Sequence, residues 1–351
     1  MIIYYVIFFL AFLLCALDYA KHELIRRIVY IGFCTFLIVL PGVRTIGTDN
    51  DSKNYEEIYN ISNGHSLGEI VTGNYDDNTE RGYALLNKII GLLGGNIHVL
   101  LFVVALATGV LNYTIIYKLC PFPFTALIFY LCFYYFYRDF TQIRYGLSCA
   151  VVFWSVYFLL KEQYFYSFLT AIGATLFHST AFAVFLVLPF CLIVKNRYFY
   201  FILPFVGLIG LFKNPFPILL SLGGVPEHMQ IYLNAEGGGG LVVTGIGLII
   251  MCLYLVYHKH MQKNEFNFPV YYRLTSMGAA LNVLFIQASI FQRFSYLFFQ
   301  FSIILFPNIV ASLLKLKDRY YFVALHFLVN CFFLYYGIKL IAPTLIRPYF
   351  N

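Results

Sequence analysis

Long apolar runs recur along almost the whole chain, and they leave few folds open. A lipid bilayer offers no partner to an unpaired peptide group, so a run of about 20 apolar residues crosses it as a helix. Runs at 1–20, 25–43, 97–117, 122–137, 144–160, 164–177, 179–194, 198–212, 241–258, 271–288, 294–314 and 320–341 read as about 12 spans. Only 11% of the 351 residues are charged and 61% are hydrophobic, against about 25% charged in a soluble domain. The expected fold is all-α and polytopic, a single transmembrane domain over 1–351. The stretch 164–194 is read as two short helices that turn at Phe177-His178-Ser179-Thr180, because one tilted span would reverse every later loop.

The net charge of +7 does not point to nucleic acid. Most of it lies in short loops between apolar runs, where it sets orientation. Thirteen of the 23 Lys and Arg fall in the shorter loops on one side and ten on the other. That bias makes the first side cytoplasmic and puts both termini outside. Residues 1–20 lack the basic start and cleavage pattern of a signal peptide and read as a first span. The eight cysteines lie in or beside apolar runs with no CxxC pair, so they are read as packing residues.

The outside face then carries the polar material. Residues 44–81 read as a long outer loop holding Asp49, Asp51, Glu56, Glu57, Glu69, Asp76, Asp77 and Glu80, half of the 16 acidic residues. Residues 82–95 read as an amphipathic helix on that surface, and 213–240 as a second outer loop ending in Gly237–Gly240. Arg44, Arg138, Arg144 and Arg293 sit at the ends of spans on this face, against the orientation bias. Arginine has the fixed charge and planar fork suited to phosphate, so the four mark an anion site at headgroup level; the competing reading is snorkelling, or pairing with acids such as Asp139. His178 sits at a helix break on the same face and is a candidate for proton transfer; a lone His in apolar surroundings is otherwise a hydrogen-bonded structural residue. Asp49 and Asp51 form a D-x-D spacing that holds a metal in many sugar transferases, but such spacing is common in acidic loops, and no metal or cofactor is assigned. Glu80 is a candidate base or hydroxyl ligand, or an acid favoured at a helix start.

Five elements, taken in order, resemble the EpsG-like family of polysaccharide polymerases, within the broader Wzy class. They are R-x-x-G-T-D-x-x-x-x-x-Y (Arg44, Gly47, Thr48, Asp49, Tyr55), E-x-G-Y (Glu80, Gly82, Tyr83), I-R-x-G-L (Ile143, Arg144, Gly146, Leu147), F-H-S-T-A (Phe177 to Ala181) and R-x-x-Y (Arg293, Tyr296). The third departs from the family pattern, with Tyr145 where Gln is usual. The resemblance implies a bacterial inner-membrane glycosyltransferase working at the periplasmic face. Its substrates would be two undecaprenyl-diphosphate-linked oligosaccharides, and its product O-antigen, capsule or exopolysaccharide. A separate chain-length regulator is the implied protein partner. On this reading Arg44, Arg144, Arg293 and Arg138 bind the diphosphate. His178, Asp49 and Glu80 are the catalytic candidates, His178 being the first choice of base and Glu80 an orienting group. Tyr55, Tyr83 and Tyr296 are the sugar-binding candidates. Other outer-face transferases, an O-antigen ligase or an O-acyltransferase, and a flippase for lipid-linked oligosaccharide stay open as alternatives. A flippase is disfavoured because no internal repeat is visible.

Overall fold

The computed structural model describes residues 2–75, 79–215, 217, 240–259, 261, 268–314 and 319–341. Every regular element among them is helical. Among the described residues, six helices are long and apolar enough to cross a membrane: Ile2–Tyr19, Glu23–Gly42, Ile97–Leu119, Ile143–Leu160, Gln292–Leu313 and Tyr320–Lys339. Shorter apolar helices cover Ser179–Ile193, Arg197–Phe212 and Leu241–Tyr257. Large side chains such as Phe9, Leu24, Ile28, Leu186 and Phe205 stand exposed on these helices, which water would not tolerate over such an area but lipid does. The chain is a multi-pass helical membrane protein. Of the about 12 spans expected, six are of spanning length among the described residues; several of the others are too short to cross alone. The helices flanking His178, for example, have 12 and 11 residues, only about 18 Å and 16 Å at 1.5 Å per residue.

The chain forms two compact units, Met1–Phe182 with Leu314–Asn351, and Ala183–Leu313. In the first, α1 (Ile2–Leu14) and α2 (Glu23–Gly42) are followed by three polar helices, α3 (Ser52–Gly64), α4 (Leu67–Thr72) and α5 (Arg81–Leu92). The region read as an outer loop is therefore largely helical. Tyr55, Ile58 and Tyr59 of α3 pack with Tyr83 and Ile90 of α5, spacings of three, four and seven that put one stripe of each helix into a shared core. α4 begins with a capping box, in which Ser66 Oγ accepts from the Glu69 amide and Glu69 accepts from the Ser66 amide. Then come α6 (Ile97–Leu119), α7 (Pro123–Tyr130), a π-helical turn sequence Leu131–Thr141, α8 (Ile143–Leu160) and α9 (Tyr164–Thr175). The helix Arg319–Tyr336 returns to this unit.

The second unit is built around the helix Phe268–Leu284. Small residues on it, Gly278 and Ala279, let Phe299 and Gly247 approach closely, the usual device where lipid removes any hydrophobic drive between helices. Tyr272 donates to the Arg197 carbonyl at 3.0 Å, Ser276 to the Tyr200 carbonyl at 2.5 Å and Arg273 to the Cys191 carbonyl at 2.7 Å. Of the expected second outer loop, residues 216 and 218–239 lie outside the described residues, as do Asp76 and Asp77 of the first.

Candidate functional site

The chain direction of α2, α6 and α8 places residues 42–52, 96–97 and 143–144 at one end of the first unit. Four of the sequence candidates, Arg44, Asp49, Glu80 and Arg144, are locked there by two ion pairs.

Arg44 follows the last turn of α2, whose final carbonyls have no helical partner. Its Nη1 donates to the Pro41 carbonyl at 2.5 Å and its Nε to Asp49 Oδ2 at 2.7 Å. Asp49 Oδ1 in turn accepts the amides of Asp51 and Ser52 at 2.9 Å each, which satisfies the start of α3 in the manner of an N-cap. Gly47, at φ +91°, makes the reversal between them, a backbone region that costs other residues strain. The amide of Gly47 donates to Ser52 Oγ at 2.7 Å. Both Arg44 and Asp49 have fully buried side chains. The guanidinium also lies over the Phe140 ring, 5.2 Å from its centroid, while Nη2 is buried with no hydrogen-bond partner among the described residues.

Glu80, the residue before α5, is the second junction. Its Oε2 accepts from Arg144 Nη1 at 2.7 Å and its Oε1 from the Ser179 amide at 3.1 Å. One carboxylate thus joins the start of α5, the start of α8 and the turn after α9, across 64 and 99 residues of sequence. The side chains of Glu80 and Arg144 are each 18% exposed, so this pair alone of the two reaches the surface. Gly82 explains part of the E-x-G-Y element: a Cβ there would stand 2.6 Å from Leu176 Cβ and 2.7 Å from its carbonyl oxygen. Only glycine lets α5 approach the turn that carries His178.

Arg144 lies over the Tyr83 ring, 5.6 Å from its centroid, and Tyr83 meets Tyr55 edge-on at 6.1 Å. Both tyrosines are buried. Burial pushes the Tyr83 hydroxyl well above the ordinary phenol range, and that hydroxyl has no hydrogen-bond partner among the described residues.

His178 is buried beside Tyr145, ring to ring at 5.2 Å. Its Nδ1 accepts the Thr180 amide at 3.2 Å and lies 2.9 Å from Thr180 Oγ1. An amide can only donate, so Nδ1 is an acceptor and the neutral ring carries its proton on Nε2. In that tautomer Nδ1 is engaged by Thr180 and Nε2–H is the donor. Arg138 and Asp139 lie on the π-helical stretch, the rare geometry that recurs at functional positions. Arg138 is buried over the Tyr134 ring at 4.3 Å. Asp139 Oδ2 accepts from Tyr130 at 2.7 Å, and Tyr130 accepts from Asn112 Nδ2 at 2.7 Å. Arg293 and Tyr296 lie half-buried on the helix Gln292–Phe299 of the second unit.

Sequence reading missed the Ser179 amide, Tyr145, Phe140 and the Asp139–Tyr130–Asn112 chain. An amide and a ring face leave no mark in a sequence. Asp139 did, standing beside Arg138, but only as its expected ion-pair partner.

The two ion pairs thus form a largely buried charged cluster at one end of the first unit of a multi-pass helical protein. The chain belongs to the EpsG family, whose model matches residues 27–351. It is also similar to the amylovoran biosynthesis protein AmsC of Erwinia amylovora, 26% identical over 258 residues, which cover 70% of this chain and 68% of that one. No solved structure matches. The family places the chain among membrane proteins of bacterial polysaccharide biosynthesis.

Proposed function

We propose that the protein is a polysaccharide polymerase. It transfers a growing glycan from an undecaprenyl-diphosphate donor to a hydroxyl of the next lipid-linked repeat unit, with the Arg44 end facing outside the cell. The observation that supports this most is Glu80, which holds Arg144 and the His178 turn together at an ion pair that reaches the surface.

Arg144 is the diphosphate ligand on this reading. Glu80 occupies its guanidinium in the resting state, as an anion that a phosphate can replace. Arg44 and Arg138, fully buried, add positive potential from behind, where low dielectric makes fixed charge count most. Asp49 is spent on holding Arg44 and capping α3, so the carboxylate left for chemistry is Glu80. The acceptor hydroxyl oxygen attacks the anomeric carbon and its proton passes to Glu80. The bond from that carbon to the diphosphate oxygen breaks, and the lipid diphosphate leaves with the electron pair. His178 Nε2–H donates a hydrogen bond to the substrate, and Tyr83 and Tyr55 support Arg144. The reading rests on residues of the first unit.

The test is surface polysaccharide resolved on a gel from a strain lacking the gene. A single repeat unit without it, a ladder with wild type, and a loss of roughly tenfold or more with His178→Ala are expected. If the strain shows no repeat unit on the acceptor at all, a ligase or flippase takes its place.

A further inference from the structure

The opposite end of the first unit holds a groove that the cluster above does not use. It runs between α2 and α6, with a volume of about 460 Å³. Arg27 and Lys118 line one end, Ile38 and Gly109 the other. The walls between are mostly apolar or aromatic, and no acidic residue lines it.

Three features specify an occupant. α2 and α6 run in opposite directions, so Arg27 and Lys118 meet at the same end, two cations without an acid between them. From Arg27 to Ile38 is 11 residues of helix, about 16 Å, half of a hydrocarbon core of about 30 Å. The groove therefore has the depth of one leaflet, with its charge at headgroup level. Tyr117, beside Lys118 in the lining, has a buried hydroxyl with no hydrogen-bond partner among the described residues. Lys118 is itself steadied over the Tyr157 ring, 4.6 Å from its centroid. A zwitterionic headgroup would bring its own cation to this end; an anionic one would not.

We propose that this groove binds an anionic phospholipid, with its phosphate between Arg27 and Lys118 and one acyl chain along Ile31 and Ile38. Basic pockets between transmembrane helices hold such headgroups. The site would couple the protein to the lipid composition of one leaflet, independently of what the Arg44 end does.

Native mass spectrometry of the full chain, released from detergent with added lipid, tests it. Phosphatidylglycerol is expected to remain bound in preference to phosphatidylethanolamine. Arg27→Gln and Lys118→Gln should each weaken retention about fivefold, the weight of one basic residue near a charged surface. Arg27→Lys should retain it. Thr114→Phe, an exposed position in the lining, fills the groove without touching charge and should also release the lipid. Equal retention of both phospholipids, or unchanged retention in the double Gln variant, would overturn the proposal. So would preferential capture of undecaprenyl phosphate, or a dimer that Thr114→Phe dissociates.

Discussion

The two ends of the first unit each carry a buried polar cluster, and they are built to different ends. Near Asp18, the carboxylate accepts the amides of Phe124 and Thr125 at 3.0 and 2.8 Å and the Thr125 hydroxyl at 2.7 Å. Thr125 Oγ1 lies 2.8 Å from His326 Nε2, and His326 Nδ1 lies 2.6 Å from the Tyr19 hydroxyl. Asn330 Nδ2 also lies 3.1 Å from His326 Nε2, while Asn330 Oδ1 is buried with no hydrogen-bond partner among the described residues, so Asp18 holds the centre of the cluster and one acceptor is left over at its edge. Asp18 thereby caps α7 from a different helix, and the cluster is a tie. Near Arg44 the arrangement is left open. Arg44 Nη2 and the Tyr83 hydroxyl are donors with no hydrogen-bond partner among the described residues, and Arg144 with Glu80 reaches the surface. Around Asp18 the protein's own carboxylate takes up the amides and hydroxyl that face it; around Arg44 a guanidinium nitrogen and a phenol face no such acceptor among the described residues.

The sharpest way to break this comparison is to change the surface pair. Arg144→Ala and Glu80→Gln should each reduce polymer made per molecule of protein in the membrane by roughly a hundredfold or more, a ratio that any accompanying loss of stability would leave unchanged. Arg144→Lys should recover little, since the fork is lost. Normal ladders in both variants would place this pair with the structural ties.

Asp49→Asn comes next. The amide retains an oxygen to cap α3 but leaves buried Arg44 without its counter-charge, a cost on the order of 3–5 kcal/mol. Thermal unfolding in detergent should show the loss. Wild-type stability in this variant would mean that Arg44 finds another anion.

Asp18→Ala sharpens the contrast from the other side. It strands two amides and a hydroxyl, and about 3 kcal/mol of stability should go. Polymer made per surviving molecule should not change; a fall in that ratio would give the Asp18 end a part in the chemistry.

The smallest effect belongs to α4. The Ser66 amide, and then its hydroxyl, hold the Glu69 carboxyl below the ordinary carboxylate range. A group depressed in this way stabilises the helix above its unfolded pKa, and the benefit fades as pH falls through the folded one. Protection of the amides of residues 66–73, taken relative to their intrinsic exchange at each pH, should therefore fall only below about pH 4.3, and Glu69→Gln, which removes the titrating group, should abolish that dependence. Protection that does not change with pH in the wild type would show that the capping box does not form in solution.

Much of the fold could be read from the chain before any coordinates. Hydropathy belongs to single residues and their neighbours, so the apolar runs declare a polytopic helical protein, and the break at Phe177-His178-Ser179-Thr180 separates two helices as read. The Arg44–Asp49 pair was also within reach, being five residues apart. Polar residues 44–81 read as a loop because their average is hydrophilic; the period of Tyr55, Ile58 and Tyr59 that makes α3 amphipathic is a pattern, not an average. Asp18, alone in an apolar run, was a sign that went unread, since an acid at that depth needs a partner. What the tertiary structure alone decided is who meets whom. Glu80 reaches Arg144 and Ser179, and Asp18 reaches Thr125 and through it His326, over separations of 64 to 201 residues. Those pairings depend on how helices cross, which no local stretch encodes, and they separate the cluster that holds the protein together from the one that we propose does its chemistry.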